Sequence, residues 1–122
     1  MSSFCKVCVD CTIRPVLFRM TAIAYTVLAM FTSKEEQDRY ITWLQAGHID
    51  EVIAGGAETA AVVRMDDGPG EINRVEVRYM FRTRDAYDKY IDHVAPGLRA
   101  VGLKEFPPES GVRFERSVGT FQ

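Results

Sequence analysis

The sequence predicts an α+β fold in which two helices cover one face of a four-stranded antiparallel sheet. Two β-rich segments, Glu58–Met65 and Ile72–Phe81, flank a run of turn-forming residues, which is the pattern of a hairpin. A strand and then a helix precede this hairpin, and a helix and then a strand follow it. Two right-handed β-α-β crossovers in that order place both helices on the same side of the sheet. This arrangement is the ferredoxin-like sandwich.

The first strand and the first helix have clear signals. The strand is predicted at Thr21–Phe31, and neither of its two rows of side chains carries a charge. An uncharged strand is typical of a central position, where both faces are shielded. Ser33 and Glu36 form a capping box that starts the helix. We expect the helix to run to about Ala46 and to end at Gly47, because glycine tolerates the left-handed conformation at a helix end.

The second arm of the hairpin has two rows of different character. Successive side chains of a strand point to opposite faces of the sheet. The apolar row, which we expect to face the helices, consists of Val75, Val77, Tyr79 and Phe81. The mixed row consists of Arg74, Glu76, Arg78 and Met80.

The second half of the chain predicts a bent helix and a closing strand. Thr83 stands at the N-cap position of the helix, and Pro96 breaks or bends it because proline forfeits an amide hydrogen bond. A further helical piece is predicted at Leu98–Leu103. The last strand is predicted at Val112–Phe121. In it apolar residues alternate with polar ones, Val112, Phe114 and Val118 against Arg113, Glu115 and Ser117.

Length and charge restrict the classes of function. A chain of 122 residues is long enough for one domain with a core. The net charge of −2 argues against nucleic acid as a partner, because phosphate binding needs an excess of Lys and Arg. The longest uncharged apolar run, Met20–Phe31, is shorter than the roughly 20 residues of a membrane span. We therefore expect no membrane insertion and a cytoplasmic location.

Residues 1–19 differ from the rest and are predicted to form a peripheral extension of a domain at 20–122. They contain Cys5, Cys8 and Cys11 in a C-x-x-C-x-x-C spacing. An iron–sulfur motif would place its fourth cysteine where Pro15 stands. A zinc site would need a further ligand such as His48 or His93. A leader upstream of a natural start at Met20 is the favoured interpretation, and a redox or metal function is the least favoured.

The uncovered face of the sheet predicts contact with a second copy of the chain. Leu28, Met30 and Met80 lie there among charged residues, and apolar groups on an open face indicate a partner surface. We expect a homodimer that stacks sheet on sheet. The alternative is a monomer whose open face is partly solvated, which antiparallel sheets tolerate.

Candidate site residues come from the aromatic set and the histidines. Trp43, His48, Tyr79 and Tyr90 are predicted to face a cleft between helices and sheet, where a flat hydrophobic ligand would fit. The alternative is that the aromatic residues are ordinary core. His48 is a candidate general base near neutral pH, or a donor to a carbonyl at the helix end.

No cofactor or metal is expected. The chain has no phosphate loop, dinucleotide fingerprint or nucleophile elbow. A site built from His48, Asp50 and His93 would imitate two histidines and a carboxylate, but the spacing does not require it. His93 is instead expected to be the cation near the end of the second helix.

Four segments resemble a family of small bacterial proteins of unknown function: Trp43–Ile49, Gly55–Ala57, Tyr87–Arg99 and Gly111–Ser117. That family is similar to the dimeric α+β barrel group, which includes cofactor-free antibiotic-biosynthesis monooxygenases. The resemblance covers about Met20–Phe121. It implies the ferredoxin-like fold of the dimeric α+β barrel type and a dimer, and it assigns no catalytic residue.

Two functional hypotheses follow. In the first, the protein binds a small hydrophobic molecule in the helix–sheet cleft, or transforms it by cofactor-independent oxygenase or isomerase chemistry. In the second, it is a non-catalytic structural or protein-interaction module whose aromatic residues are all core. A cavity open to solvent near His48 would favour the first, and a filled interior would favour the second.

Overall fold

The computed structural model describes residues 21–122. Cys5, Cys8 and Cys11, and the predicted extension at 1–19, lie outside the described residues. The elements follow the predicted order, and their bounds are β1 Ile23–Met30, α1 Lys34–Trp43, α2 Ile49–Ala54, β2 Thr59–Arg64, β3 Arg74–Phe81, α3 Arg84–His93, α4 Ala95–Glu105 and β4 Arg113–Thr120.

The four strands form one antiparallel sheet in the order β2-β3-β1-β4. β1 lies at the centre, with Val27 opposite Val77 of β3 on one side and Arg116 of β4 on the other. The uncharged first strand is therefore central, as predicted. The sheet order and the strand–helix order confirm the ferredoxin-like fold.

One face of the sheet carries the core. The apolar row of β3 is almost completely buried, and Val75 and Phe81 have no exposed surface. Tyr25 and Ala29 of β1 lie on the same side and are also buried. The helices pack on this face, and burial of these side chains stabilises the fold by roughly 25 cal/mol for each Å² of apolar surface removed from water.

Both predicted N-caps are present. The Ser33 hydroxyl accepts a hydrogen bond from the Glu36 amide at 3.1 Å, and the Thr83 hydroxyl accepts one from the Ala86 amide at 3.0 Å. The second hydrogen bond of a capping box would join the Ser33 amide to the Glu36 carboxylate, and here the carboxylate has a different partner. The Glu36 carboxylate binds Arg39 one turn further on, at 3.2 Å, because the guanidinium offers it a charged partner.

Gly47 turns the chain between α1 and α2. It adopts φ 156° and ψ −25° in the kinked turn Leu44–His48, a conformation that side chains disfavour. The glycine interrupts the helix as predicted, and the residues that follow His48 form α2. Gly55 follows α2, where a Cβ atom would lie 2.8 Å from the Val94 side chain. A glycine is needed there because the two elements approach closely.

The helix that the sequence predicts after the hairpin is broken at the predicted place and forms two helices, α3 and α4. α3 ends at His93, and Val94 leaves helical geometry with φ −115°. α4 then begins at Ala95, so Pro96 stands in its first turn, where the missing amide hydrogen is tolerated. α4 is longer than the predicted Leu98–Leu103 and extends to Glu105.

The helices of residues 21–122 leave the other face of the sheet uncovered. Leu28, Met30 and Met80 are half-buried on it. Four charged side chains of this face bind in pairs within the protomer, Glu76 to Arg78 and Glu115 to Arg113, while Arg74 binds Glu71 of the hairpin loop. None of the helices in residues 21–122 has the length and apolar character that a membrane crossing needs.

Candidate functional site

A cavity of about 160 Å³ lies between the helices and the sheet and opens to solvent. The sheet contributes one wall, with side chains from β1, β3 and β4: Tyr25, Val27, Tyr79, Phe114 and Arg116. The helices and the segments that follow them contribute the rest: Tyr40, Trp43, His48, Tyr90, Leu98, Arg99, Gly102, Leu103 and Phe106. The exposed members Arg99, Leu103 and Arg116 place the mouth between α4 and β4.

The four residues predicted as ligand contacts all lie on the wall of this one cavity. Trp43 ends α1, His48 ends the kinked turn, Tyr79 lies on β3 and Tyr90 on α3. Three separate helical segments and the central sheet therefore converge on one space. That these residues contact a ligand stays a prediction.

Trp43 and His48 form a stacked pair. Their ring centroids are 4.3 Å apart, and the ring planes differ by 23°. The kink at Gly47 brings His48 back over the indole one turn after Trp43. Burial lowers the pKa of His48, and the nearby Glu51 carboxylate opposes this shift. The imidazole is therefore neutral at pH 7 and presents one nitrogen that can accept a proton.

Four tyrosines line the cavity and are nearly completely buried: Tyr25, Tyr40, Tyr79 and Tyr90. The Tyr25 ring is central to them, with centroid distances of 5.9 Å to Tyr79 and 6.2 Å to Tyr90. Such offset contacts between rings are favourable and give the cavity a rigid wall.

The tyrosine hydroxyls differ in their partners. The Tyr25 hydroxyl accepts a hydrogen bond from Nη2 of Arg99 at 3.2 Å. Within the described chain, the hydroxyls of Tyr40, Tyr79 and Tyr90 make no hydrogen bond to protein atoms, nor is any of them sealed from solvent. Burial raises the pKa of Tyr90 to about 12 and raises the pKa of Tyr40 and Tyr79 as well. All three hydroxyls are therefore protonated at neutral pH and can donate to a ligand.

Sequence reasoning missed two arginines of the site, Arg99 and Arg116. The signal for Arg116 was present, because it occupies the row of β4 that also holds Phe114 and Val118. A charged residue in that row points to the helix-covered side of the sheet. Arg99 gave no such signal, because the break at Pro96 sets which side of α4 faces the sheet.

His93 lies away from the cavity, exposed in the last turn of α3. Residues 21–122 contain no group of three or more His, Cys, Asp or Glu side chains close enough to hold a metal ion. The chemistry available in the cavity is therefore proton acceptance by His48, hydrogen-bond donation by tyrosines, and the positive charge of two guanidinium groups.

A family model matches most of the sequence. The model described as "Domain of unknown function (DUF4286)" matches residues 22–116. No match is found among curated proteins.

Three solved structures illustrate the likeness of fold. A dimeric ferredoxin-like protein from an uncultured marine organism has a TM-score of 0.66 and 17% identity, over 82% of this chain and 94% of that one. A monooxygenase from the gene ActVA-Orf6 of Streptomyces coelicolor, in complex with Nanaomycin D, has a TM-score of 0.64 and 13% identity, over 84% and 89%. SnoaB, a cofactor-independent oxygenase from Streptomyces nogalater, has a TM-score of 0.55 and 12% identity, over 84% and 94%. At these identities the likeness shows the fold alone.

Proposed function

The chain belongs to the family of the domain of unknown function DUF4286, and from the geometry of its cavity we propose that it binds a small, flat hydrophobic molecule. The observation that carries this proposal is the open, aromatic-walled cavity between helices and sheet. A protein with a purely structural role would be expected to fill this space, because interiors are close-packed. Trp43, His48, Tyr79 and Tyr90 would be the ligand contacts.

The volume of the cavity limits the size of the ligand. A cavity of roughly 150 Å³ in another protein holds one benzene molecule. The present cavity, at about 160 Å³, therefore suits one aromatic ring, and a polycyclic molecule would protrude through the mouth. Three hydroxyl donors on its wall suit a ring that carries oxygen substituents.

The chain provides its own reporter for binding. Trp43 is the single tryptophan, and it lies on the cavity wall. We expect phenol, benzoate or benzamide to change its fluorescence in a saturable way. The same titration with Gly102→Leu should show no saturation, because the new side chain fills the space beside the indole. A Cβ atom at Gly102 lies 3.6 Å from Trp43, which is an ordinary contact.

Gly97→Leu is the matched control for this blocking variant. It lies on the same helix, and no atom lies within 4 Å of its added Cβ. Both variants gain helix propensity by losing a glycine. Equal binding by the two variants, or no saturation with any of the three probes in the natural protein, would contradict the proposal and favour a structural module.

Tyr79→Phe tests the contribution of one hydroxyl. Because this hydroxyl has no protein partner among the described residues, its removal should change probe affinity more than it changes stability. Tyr87→Phe is the control, since Tyr87 packs on Tyr25 and Phe81 outside the cavity wall. Unchanged binding together with altered stability in Tyr79→Phe would mark Tyr79 as structural.

A second candidate function is catalysis, which the neutral His48 at the cavity wall favours. His48 would accept a proton from a phenolic ligand, and the phenolate would react with oxygen. Hydroquinone is a suitable probe, because its oxidation by O₂ gives benzoquinone and hydrogen peroxide without a cofactor. Oxygen uptake above the uncatalysed rate, lost in His48→Phe while hydroquinone still binds, would support this role. No uptake above that rate would leave the protein a binding protein.

We also propose that the protein is a homodimer joined through the open face of the sheet. The half-buried Leu28, Met30 and Met80 support this, because no element of the described chain covers them. Two structures of similar fold are themselves described as dimeric ferredoxin-like proteins. Sedimentation equilibrium at tens of micromolar should give twice the mass of one chain, and the mass of a single chain would contradict the dimer.

A further inference from the structure

The cavity described above has charge of one sign only. Among residues 21–122, no Asp or Glu lies on its wall, whereas Arg99 and Arg116 both do. Neither arginine forms a salt bridge in the part of the chain that the structure describes. Most other cations there have a carboxylate partner, including Arg39, Arg64, Arg74, Arg78, Lys89 and Arg113. Arg99 and Arg116 therefore bring two cations to one cavity without a carboxylate partner among the described residues.

Both guanidinium groups contact an aromatic residue of the cavity wall. Arg99 donates to the Tyr25 hydroxyl at 3.2 Å, and this bond uses only one of its donors. The Arg116 guanidinium lies 5.7 Å from the centroid of the Phe114 ring. A guanidinium has five donors in a planar fork, so each group keeps donors for a further acceptor.

The charge of both groups extends into the cavity. Arg99 and Arg116 each act to lower the pKa of the Tyr90 hydroxyl, although burial has the larger, opposite effect. Arg116 also acts to lower the pKa of the Tyr40 hydroxyl, another residue of the cavity wall. The aromatic interior thus lies under a positive potential from its mouth.

We propose that the ligand of this cavity is a single-ring aromatic carboxylate, whose ring occupies the aromatic interior and whose carboxylate is bound by Arg99 and Arg116 at the mouth. This inference rests on the proposed binding function and adds the chemical class of the ligand. A carboxylate fits because its two oxygens match the paired donors of a guanidinium. The small volume of the cavity excludes a larger anion from the interior. The described wall has no acidic residue, so no carboxylate on it competes with the ligand for the two arginines.

The test compares two probes of nearly equal shape, benzoate and benzamide, by Trp43 fluorescence at pH 7. We expect benzoate to bind roughly tenfold to a hundredfold more tightly, as charge-assisted hydrogen bonds imply. Added salt should weaken benzoate binding and leave benzamide binding nearly unchanged. Arg99→Gln and Arg116→Gln should each reduce the preference for benzoate by about tenfold or more.

Arg84→Gln is the matched control. Arg84 also forms no salt bridge with the described residues, but it lies over the Tyr87 ring, outside the cavity wall. This variant should keep the full preference for benzoate. If Arg99→Gln does not fold, the comparison of Arg116→Gln with Arg84→Gln is sufficient, because the Arg116 side chain makes no hydrogen bond to the described chain.

The outcomes separate this inference from the proposal on which it rests. Equal affinity for benzoate and benzamide would overturn the carboxylate assignment and leave the binding function in place. A preference for benzoate that survives both arginine substitutions would overturn the role of the arginines. Binding of phenol without binding of benzoate or benzamide would overturn the carboxylate assignment alone, whereas failure of all three probes to bind would overturn the binding function itself.

Discussion

The two faces of the sheet deal with polar groups in opposite ways. On the open face, charged side chains of β3 and of β4 bind within their own strand, as Glu76 binds Arg78 and Glu115 binds Arg113. At the cavity on the helix-covered side, Arg99 and Arg116 have no carboxylate partner among residues 21–122, and the hydroxyls of Tyr40, Tyr79 and Tyr90 make no hydrogen bond to those residues. The polar groups around the cavity are therefore left open to water or to a ligand, whereas the ion pairs Glu76–Arg78 and Glu115–Arg113 are satisfied within the protomer.

The polar groups of the cavity reach solvent through its mouth, so they do not carry the cost of about 1–3 kcal/mol that a sealed polar group without a partner would have. The exposed ion pairs of the open face contribute little to stability. Unpaired groups around a cavity therefore indicate a surface whose partners come from a ligand. Self-paired charges around half-buried apolar residues instead suit contact with another protein surface, because neutral pairs can be covered at lower cost.

The largest expected effect compares adjacent residues on the two faces. Phe81→Ala should lower the free energy of unfolding by about 3–5 kcal/mol, because Phe81 is completely buried against Tyr25, Tyr87 and Tyr90. Met80→Ala, one residue earlier on the open face, should cost roughly 1–2 kcal/mol. Urea unfolding at equal protein concentration measures both. Equal losses would show that the two faces do not differ in burial.

The next effect concerns association rather than folding. Leu28→Lys should raise the dissociation constant of the proposed dimer by roughly a hundredfold, because it places a cation in a buried contact. The single chain should still fold, since Glu76 and Glu115 flank position 28 on the neighbouring strands. Val101→Lys is the control, because Val101 is half-exposed on α4. Sedimentation should show monomers for Leu28→Lys alone, and dimers in both variants would place the interface elsewhere.

The sequence predicts well those features that depend on regular spacing. The rows of β1 and β3 follow the period of two, and the caps at Ser33 and Thr83 depend on a side chain three residues from its partner amide. The ferredoxin-like order follows from these elements. Arg116 follows the same period of two, but a single arginine in an apolar row does not by itself predict a site residue.

The cavity itself has no sequence period. It exists because side chains from six separate elements fail to fill the space that they enclose, and this depends on the exact angles between those elements. The angle of α4 depends in turn on the break at Val94 and Pro96, which decides that Arg99 faces Tyr25. The sequence could identify Trp43, His48, Tyr79 and Tyr90 as aromatic and inward-facing, but not show that they share an open space.

The smallest expected effect tests the buried environment of His48. Its pKa is lowered in the folded chain from the ordinary value of 6.5, mainly by burial. The folded chain therefore binds fewer protons than the unfolded chain just below that pH, so the free energy of unfolding falls as the pH decreases. His48→Phe keeps an aromatic ring beside Trp43 and removes the imidazole that binds the proton. Between pH 7.5 and pH 5, its Tm should fall less than that of the natural protein, by about 1–4 °C.

His93→Gln is the control for this measurement, because His93 is exposed at the end of α3 and away from the cavity. Its Tm should fall with pH as much as that of the natural protein does. If His48→Phe and His93→Gln behave alike, His48 is as accessible to water as a surface histidine, and the wall of the cavity is more open than its geometry indicates.

A saturating concentration of benzamide gives a further test in that case. Benzamide should protect His48 of the natural protein from protonation only if the bound probe closes the wall of the cavity beside the histidine. The pH dependence of Tm with and without benzamide therefore distinguishes a histidine buried by the fold from one buried by the ligand.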